Sequence, residues 1–224
     1  MTKMKLSDKT LTLLKNFAGI NQSILFKEGN NLRTISVMKN ILAEATVEEE
    51  FPKDFGIYDL NQFLNGVNLY HSPELDFENE GYVMIREGKS RSKYFFADPN
   101  VIVTPPDKSI VLPSEDVCFL LDTKELDKLL KASSIYQLPD LSVVGEAGVI
   151  KLVVRDKKND TSNDFSVIVG ETDEEFVFNF KTENIKIIPG AYEVVISKKL
   201  LSRFVNTNFD VKYYIALEPD STFG

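Results

Sequence analysis

Three predicted amphipathic helices carry basic side chains spaced to bind phosphate. On one of them, Lys124, Lys128 and Lys131 fall within about 60° of one another at 100° per residue, opposite a leucine-rich face. No aromatic side chains accompany these lysines, so their arrangement favours non-specific phosphate contact over base reading or base stacking. The residues predicted to contact DNA phosphate are Lys5, Lys9, Lys15, Lys124, Lys128, Lys131, Lys198, Lys199 and Arg203.

The charge of the whole chain, in contrast to that of the helices, does not favour phosphate binding. The chain has 26 basic and 34 acidic residues and a net charge of −8, which argues against general nucleic-acid binding. Its acidic runs fall in predicted strands and loops, whereas the basic residues collect on predicted helices. This split is expected if the helices share one surface. The alternative is that lysines on amphipathic helices simply face water.

The hydrophobic periodicity predicts four helices, at residues 7–18, 59–67, 123–134 and 197–205. Ser7, Asp59, Asp122 and Ser197 are the expected N-caps, and Gly19 is expected to end the first helix. The second helix has an uncharged polar face of Asn and Gln. Strands fill most of the remaining chain, so the pattern predicts an α+β fold dominated by sheet.

The order of elements in the first half recurs in the second half. Residues 7–17 read SDKTLTLLKNF and residues 123–133 read TKELDKLLKAS, and each half closes on a similar strand about half the chain length apart. An internal duplication predicts two similar domains. We place them at residues 1–104 and 116–224, joined by a proline-rich connector at residues 105–115.

Several kinds of active site are not supported. His71 is the only histidine and is expected at the surface, and Cys118 is the only cysteine and is expected to pack inside an apolar strand. The sequence has no phosphate-binding loop of the G-x-x-x-x-G-K-[ST] type. We therefore expect a non-enzymatic protein with no catalytic residues, metal or cofactor. The lack of a long apolar run or a signal-peptide core predicts a cytoplasmic protein without membrane partners.

Four separated segments resemble one protein family in order and across essentially the whole length. They are MKLSDKTLTLLKNFAGIN at residues 4–21, IYDLNQFL at 57–64, FVFNFKTENIKIIPGAYEVVIS at 176–197 and YYIALEPDST at 213–222. The chain resembles the DNA polymerase sliding clamps of T-even-like bacteriophages, which are related to proliferating cell nuclear antigen.

This resemblance implies a duplicated sliding-clamp fold in a closed homotrimeric ring, with twelve helices lining a central hole and sheets outside. Such a ring would encircle duplex DNA without sequence preference and tether the replicative DNA polymerase for processive synthesis. The resemblance also implies an ATP-dependent clamp loader, late-transcription factors as further partners, and the host cell cytoplasm as location.

Two more sets of residues are predicted, the first from position within the family and the second because each domain has a sheet edge that needs cover. The pocket for the C-terminal peptide of the polymerase would comprise Ile110, Val111, Leu112, Tyr214, Ala216, Leu217 and Pro219. The subunit interface would pair residues 92–97 with residues 165–169 of the next copy, through Ser92, Tyr94, Phe96, Phe165, Val167 and Val169. The alternatives are a β-rich viral structural or interaction protein without DNA function, or a hydrolase that uses scattered carboxylates.

Overall fold

Three α-helices form where the sequence places a capping side chain before a leucine-rich face. In the computed structural model, which describes residues 2–224, they are α1 (Asp8–Ile20), α2 (Leu60–Val67) and α3 (Thr123–Tyr136). Three of the four predicted caps are confirmed, because side-chain oxygens of these residues accept hydrogen bonds from backbone N–H groups in the first turns. These capping residues are Ser7, Asp59 and Asp122.

Two helices extend further than predicted. Gly19 does not end α1 but lies in its last turn, and the N–H of Asn21 still donates to the carbonyl of Phe17 at 2.9 Å. Helix α3 continues to Tyr136 and ends where Gln137 adopts a left-handed φ of 54°. A single exposed glycine weakens a helix but does not break it when the flanking residues are packed.

The chain divides into two units, Met1–Asp107 and Lys108–Gly224. In the first unit, an antiparallel sheet has the order β1-β6-β7-β8, and β2 pairs with β5 and β3 with β4. The strands are β1 (Lys3–Met4), β2 (Ile24–Phe26), β3 (Gly29–Ile35), β4 (Ile41–Phe51), β5 (Phe55–Ile57), β6 (Glu74–Asp76), β7 (Tyr82–Glu87) and β8 (Ser90–Phe95). Helices α1 and α2 pack together in this unit and bury Phe17 and Phe63.

The second unit contains an antiparallel sheet of order β12-β11-β10-β13-β17, and antiparallel strands β9, β14, β15 and β16 paired in the order β9-β14-β15-β16. Its strands are β9 (Val117–Leu121), β10 (Asp140–Glu146), β11 (Val149–Arg155), β12 (Phe165–Glu171), β13 (Phe176–Lys181), β14 (Tyr192–Ser197), β15 (Leu201–Asn206), β16 (Val211–Ala216) and β17 (Thr222–Phe223). Helix α3 contacts β11 and β12. The first unit therefore joins two α-helices to antiparallel sheet and the second joins one, an α+β arrangement as the sequence predicted.

The predicted fourth helix at residues 197–205 is wrong. These residues form the end of β14, a tight turn and most of β15, and Ser197 pairs directly with Leu201. Leu200 closes the three-residue loop with a left-handed φ of 65°. Along β15 burial alternates with period two, and the buried Ser202 hydroxyl donates to the carbonyl of Ile215 at 2.7 Å.

By element order, the second helix of this unit should follow β13. The chain there forms a short 3₁₀ turn, Thr182–Asn184, and an irregular loop over residues 185–191, so the strand predicted at residues 185–188 is also absent from the described structure. Buried tyrosines satisfy the backbone of this loop at Ile188. The Tyr192 hydroxyl donates to the Ile188 carbonyl at 2.5 Å, and the Ile188 N–H donates to the Tyr213 hydroxyl at 3.3 Å.

Candidate nucleic-acid interface

The start of α1 is anchored to strand β4 by a carboxylate. Glu49 accepts hydrogen bonds from the backbone N–H of Ser7 and from the hydroxyl of Thr10, and both Glu49 and Thr10 are buried. Burial by itself would raise the pKa of Glu49, but the hydrogen bonds from Thr10 and Ser7 outweigh it and the pKa is lowered overall. The ionised carboxylate thus fixes the end of the helix that carries Lys9 and Lys15.

The three predicted lysines of the first unit are exposed but differ in their neighbours. The Lys9 ammonium lies 3.7 Å from the Glu48 carboxylate, and the Lys5 ammonium donates to the Ser72 hydroxyl at 3.0 Å. Lys15 forms no ion pair within residues 2–224. Of these three lysines, Lys15 is therefore the most available to an external phosphate.

Lys5 and Lys15 line one groove of about 480 Å³ between α1 and the loop that follows α2. The groove also contains Thr12, Ser72 and His71. His71 is exposed, as the sequence predicted. The Glu87 carboxylate accepts hydrogen bonds from the backbone N–H groups of His71 and Ser72, and these hydrogen bonds lower the pKa of Glu87. The structure thus brings two predicted phosphate-binding lysines to one polar depression.

Helix α3 presents the clearest basic face. Lys124, Lys128 and Lys131 are all exposed, while Leu126 and Leu129 are buried on the other side, as the helical periodicity predicted. Lys131 pairs with Asp127 one turn earlier, at 2.6 Å. Among the residues described, Lys124 and Lys128 have no ion-pair partner, so they carry most of the free positive charge of this face.

Lys198, Lys199 and Arg203 do not lie on a helix face, because their helix is absent. They belong to the β14–β15 hairpin, where Lys198 pairs with Asp116 at 3.3 Å and Arg203 pairs with Glu115 at 3.1 Å. Desolvation would raise the pKa of Asp116, but hydrogen bonds from Ser114 and Lys198 and the charge of Lys198 lower it overall. Two of these three cations are thus neutralised locally, so the reasoning that placed them on a basic helix no longer holds.

The exposed side of α2 is polar and uncharged, as predicted. Its exposed side chains include Asn61, Gln62 and Asn65, whereas Leu60, Phe63, Leu64 and Val67 are buried. This face can hydrogen-bond to water or phosphate but adds no charge. The basic character of the helical surfaces therefore comes from α1 and α3.

The predicted partner pocket mixes buried and exposed residues. Leu112, Tyr214 and Leu217 are buried, Ile110 and Ala216 are half-buried, and Pro219 is exposed. Val111 is the exception among the apolar residues, since it is 80% exposed. Within this predicted site, Val111 is the large apolar side chain a partner can reach without rearrangement.

Sequence reasoning missed an apolar depression of about 210 Å³ beside α3. It lies between the first turns of α3 and the loop that replaces the second helix of this unit, and its lining includes Leu126, Leu130, Ile187, Ile188 and Pro189. Because residues 185–188 were interpreted as a strand, the depression could not be anticipated. The apolar run followed by Pro-Gly was the available signal.

The predicted interface strands are both sheet edges. β8 ends one sheet and β12 ends another, and each pairs with a single neighbour in its unit. Ser92, Tyr94, Phe96, Phe165, Val167 and Val169 are all half-buried. Tyr94, for example, donates its hydroxyl to the Asp59 carbonyl at 3.0 Å. The strongly exposed apolar residues on these strands are instead Phe95 and Ile168, which the sequence analysis did not select.

Three further features concern metal binding, membrane insertion and the single cysteine. Within residues 2–224, no group of three or more His, Cys, Asp or Glu side chains is arranged to hold a metal ion. No helix in the described part of the chain has the length and apolar character needed to cross a membrane. Cys118 was expected to be packed but is exposed on β9, because the side chains of that strand alternate and its own points outward.

Comparison with known proteins gives a uniform result. Residues 5–104 match the family described as DNA polymerase processivity factor, and residues 118–219 match the family described as gp45 sliding clamp, C terminal. The sliding clamp of Vibrio phage KVP40 is 34% identical over 222 residues, which cover 96% of this chain and 99% of that protein. The sliding clamp of Escherichia phage RB69 is 32% identical over 228 residues, covering 98% and 99%.

The fold is also similar to that of solved clamps. PCNA from A. fulgidus, solved with the C-terminal region of FEN-1 bound, superposes with a TM-score of 0.71 at 16% identity, covering 99% of this chain and 100% of that one. This likeness confirms the duplicated α+β fold that the sequence predicted.

Proposed function

Because this chain belongs to the phage sliding-clamp family of DNA polymerase processivity factors, we propose that it closes into a homotrimer around duplex DNA. The ring would tether the replicative DNA polymerase by binding its C-terminal peptide. Tethering raises the effective concentration of the polymerase at the primer end. Membership of this family argues against the two alternatives, a β-rich structural or interaction protein without DNA function and a hydrolase.

The observation that carries the proposal is the charge of the helices. In a chain of net charge −8, the exposed sides of α1 and α3 are basic. A weak basic surface inside a ring would let the protein slide, because its phosphate contacts are independent of sequence. Acidic surfaces elsewhere would discourage binding to DNA from outside the ring.

The number of helices in the structure changes how many helices would line the bore of the ring. Residues 2–224 contain three α-helices, not the four predicted, so a trimer would bring nine helices to its bore instead of twelve. Lys15, Lys124 and Lys128 would be the principal phosphate contacts. The hairpin residues Lys198 and Arg203 would contribute less, because each already has a carboxylate partner.

Of the remaining partners, the loader follows from the closed ring, and the late-transcription factors are what the family resemblance implies. A closed ring cannot thread onto circular DNA without being opened, and the sequence contains no phosphate-binding loop for ATP. We propose that a separate ATP-dependent clamp loader opens it, that late-transcription factors also bind it, and that it acts in the host cytoplasm without catalysing a reaction itself.

Two measurements test this function. Light scattering should give a mass near three times 25.4 kDa at micromolar concentration; a monomer or dimer would contradict the ring. With loader and ATP, the protein should lengthen the tracts made by its cognate polymerase. The triple variant Lys124→Glu, Lys128→Glu, Lys131→Glu should assemble normally but lose this effect, and normal tract length in that variant would contradict the inner-surface assignment.

A further inference from the structure

The turn between β16 and β17, at residues 217–221, is bound to strand β13 at both of its ends. The N–H of Glu218 donates to the carbonyl of Asn179 at 2.8 Å, and the N–H of Asn179 donates to the Ser221 hydroxyl at 2.9 Å. The N–H of Ser221 donates back to the carbonyl of Glu218 at 3.1 Å. Pro219, which has no N–H of its own, lies exposed between these two fixed points. We call residues 217–221 the C-terminal turn.

The tip of the C-terminal turn is held by a second set of contacts, made through a side chain. The Lys157 ammonium lies 2.9 Å from Oδ1 and 2.7 Å from Oδ2 of Asp220, and the side-chain amide of Asn179 donates to Oδ1 at 3.2 Å. The hydrogen bond from Lys157 is the main cause of the lowered pKa of Asp220. Because Asp220 is exposed, burial does not require its carboxylate to have these partners.

Lys157 is itself held in place by a buried carboxylate. It lies in the loop between β11 and β12, and its side chain is only 14% exposed. Its backbone N–H donates to the Asp140 carboxylate at 3.2 Å, and its ammonium lies 3.9 Å from the same carboxylate. Asp140 also accepts a hydrogen bond from Lys181 at 2.6 Å. Since Lys181 already balances the charge of Asp140, the charge of Lys157 is available to Asp220.

We propose that Lys157 and Asp220 are positioning residues for the polymerase C-terminal peptide, because their ion pair fixes the tip of the C-terminal turn. Two residues of the predicted peptide pocket, Leu217 and Pro219, belong to this turn. A turn that is ordered in advance loses less conformational freedom when a peptide binds against it. Neither Lys157 nor Asp220 has to touch the peptide. The inference rests on the proposed function, to which it adds the residues that shape the binding site.

Neutralising Lys157 tests the role of the ion pair. Lys157→Met should weaken binding of the polymerase C-terminal peptide about three- to tenfold in calorimetry, the cost of ordering one or two side chains on binding. Lys157→Arg keeps the cation and should bind near the wild-type affinity. Lys158→Met is the matched control, because Lys158 is exposed in the same loop and forms no ion pair within residues 2–224. Wild-type affinity in Lys157→Met would overturn the proposal.

A second variant separates positioning from direct contact with the peptide. If the pair acts as a unit, Asp220→Ala should weaken binding as much as Lys157→Met, and the double variant should bind no worse than either one. Additive losses would mean that each side chain acts on the peptide separately, and would overturn the proposal. Asp220→Ala leaves both Asp140 and Lys181 in place, so its effect on affinity does not come from loss of that buried pair.

Hydrogen exchange in the free protein gives a readout that does not depend on the peptide. The amides of the C-terminal turn should exchange faster in Lys157→Met and Asp220→Ala than in the wild type or Lys158→Met, while those of β10 and β11 stay protected. Unchanged exchange in the turn would overturn the proposed ordering. A wild type that does not bind the peptide would overturn the proposed function itself. A wild type that binds it no better than these two variants would leave that function intact and overturn only the positioning role.

Discussion

Two lysines on one helix face offer a sharp test of the DNA-contact surface. Lys128 and Lys131 are both exposed on α3, three residues apart, but only Lys131 has a carboxylate partner, Asp127 at 2.6 Å. We expect Lys128→Gln to weaken duplex binding more than Lys131→Gln. The two variants remove the same charge from neighbouring positions, so each serves as the control for the other.

The size of the effect follows from counterion release. Each lysine that neutralises a phosphate adds about 0.9 to the slope of log K against log salt for duplex DNA. Losing Lys128 should therefore lower that slope by about one unit for each subunit whose Lys128 contacts a phosphate, and so by about three units at most in a trimer. Losing Lys131 should lower it by much less, because its ammonium is already shared with Asp127. An exposed pair of this kind contributes only about 0.3–0.5 kcal/mol to folding, so both variants should unfold near the wild-type temperature.

The assay is equilibrium binding of a short labelled duplex, followed by fluorescence anisotropy from low to moderate salt. Thermal unfolding by circular dichroism confirms that the variants are folded. An equal or larger slope change for Lys131→Gln would refute the argument from Asp127. If neither variant changed the slope, α3 would not face DNA at all.

Three further outcomes are expected. Val111→Ser should weaken binding of the polymerase C-terminal peptide by about 1–2 kcal/mol in calorimetry, the scale of one buried apolar side chain. Assembly should be undisturbed, because Val111 is 80% exposed in the single chain. Unchanged peptide affinity would remove Val111 from the predicted pocket. Glu49→Gln should destabilise the protein near neutral pH and destabilise it less in acid. The pKa of Glu49 is lower in the folded protein than in the unfolded chain. The ionised carboxylate therefore stabilises the fold at pH values above its unfolded pKa, and this stabilisation is lost as the pH falls through its folded pKa. Urea unfolding at both pH values checks this, and a pH-independent difference would contradict it. Asp140→Ala should cost about 2 kcal/mol in urea unfolding, because the buried Asp140 carboxylate accepts a charge-assisted hydrogen bond from Lys181 at 2.6 Å. A neutral result would show that the pair is dispensable.

The sequence was sufficient to predict those secondary-structure elements whose local signals agree. At α3, a capping Asp122, a leucine repeat and a lysine face all indicate one helix, and the structure has it. Residues 197–205 send mixed signals, because Leu200, Leu201 and Phe204 fit a helical repeat while Ser202 and Phe204 fit a strand. Contacts distant in sequence decide between them, such as the hydrogen bond from Ser202 to Ile215.

The faces of the edge strands could not be predicted for a related reason. Which side of a strand is exposed depends on what packs on each face of its sheet, and contacts distant in sequence decide that. Tyr94, for example, is half-buried and its hydroxyl donates to the Asp59 carbonyl. The sequence therefore located the two edges but selected Tyr94 and Val167, when the exposed side chains are Phe95 and Ile168.

The loop at residues 185–191 has consequences for how the two halves of the gene can diverge. In a helix, each residue helps to satisfy its neighbours' backbone, so a single proline is disruptive. Here Tyr192 and Tyr213, from strands outside the loop, bind both backbone groups of Ile188. The loop conformation is thus held from outside, and Pro189 and Gly190 are tolerated there. The loop therefore depends on these two tyrosines, because losing either hydroxyl would leave a buried backbone group of Ile188 without its hydrogen-bond partner.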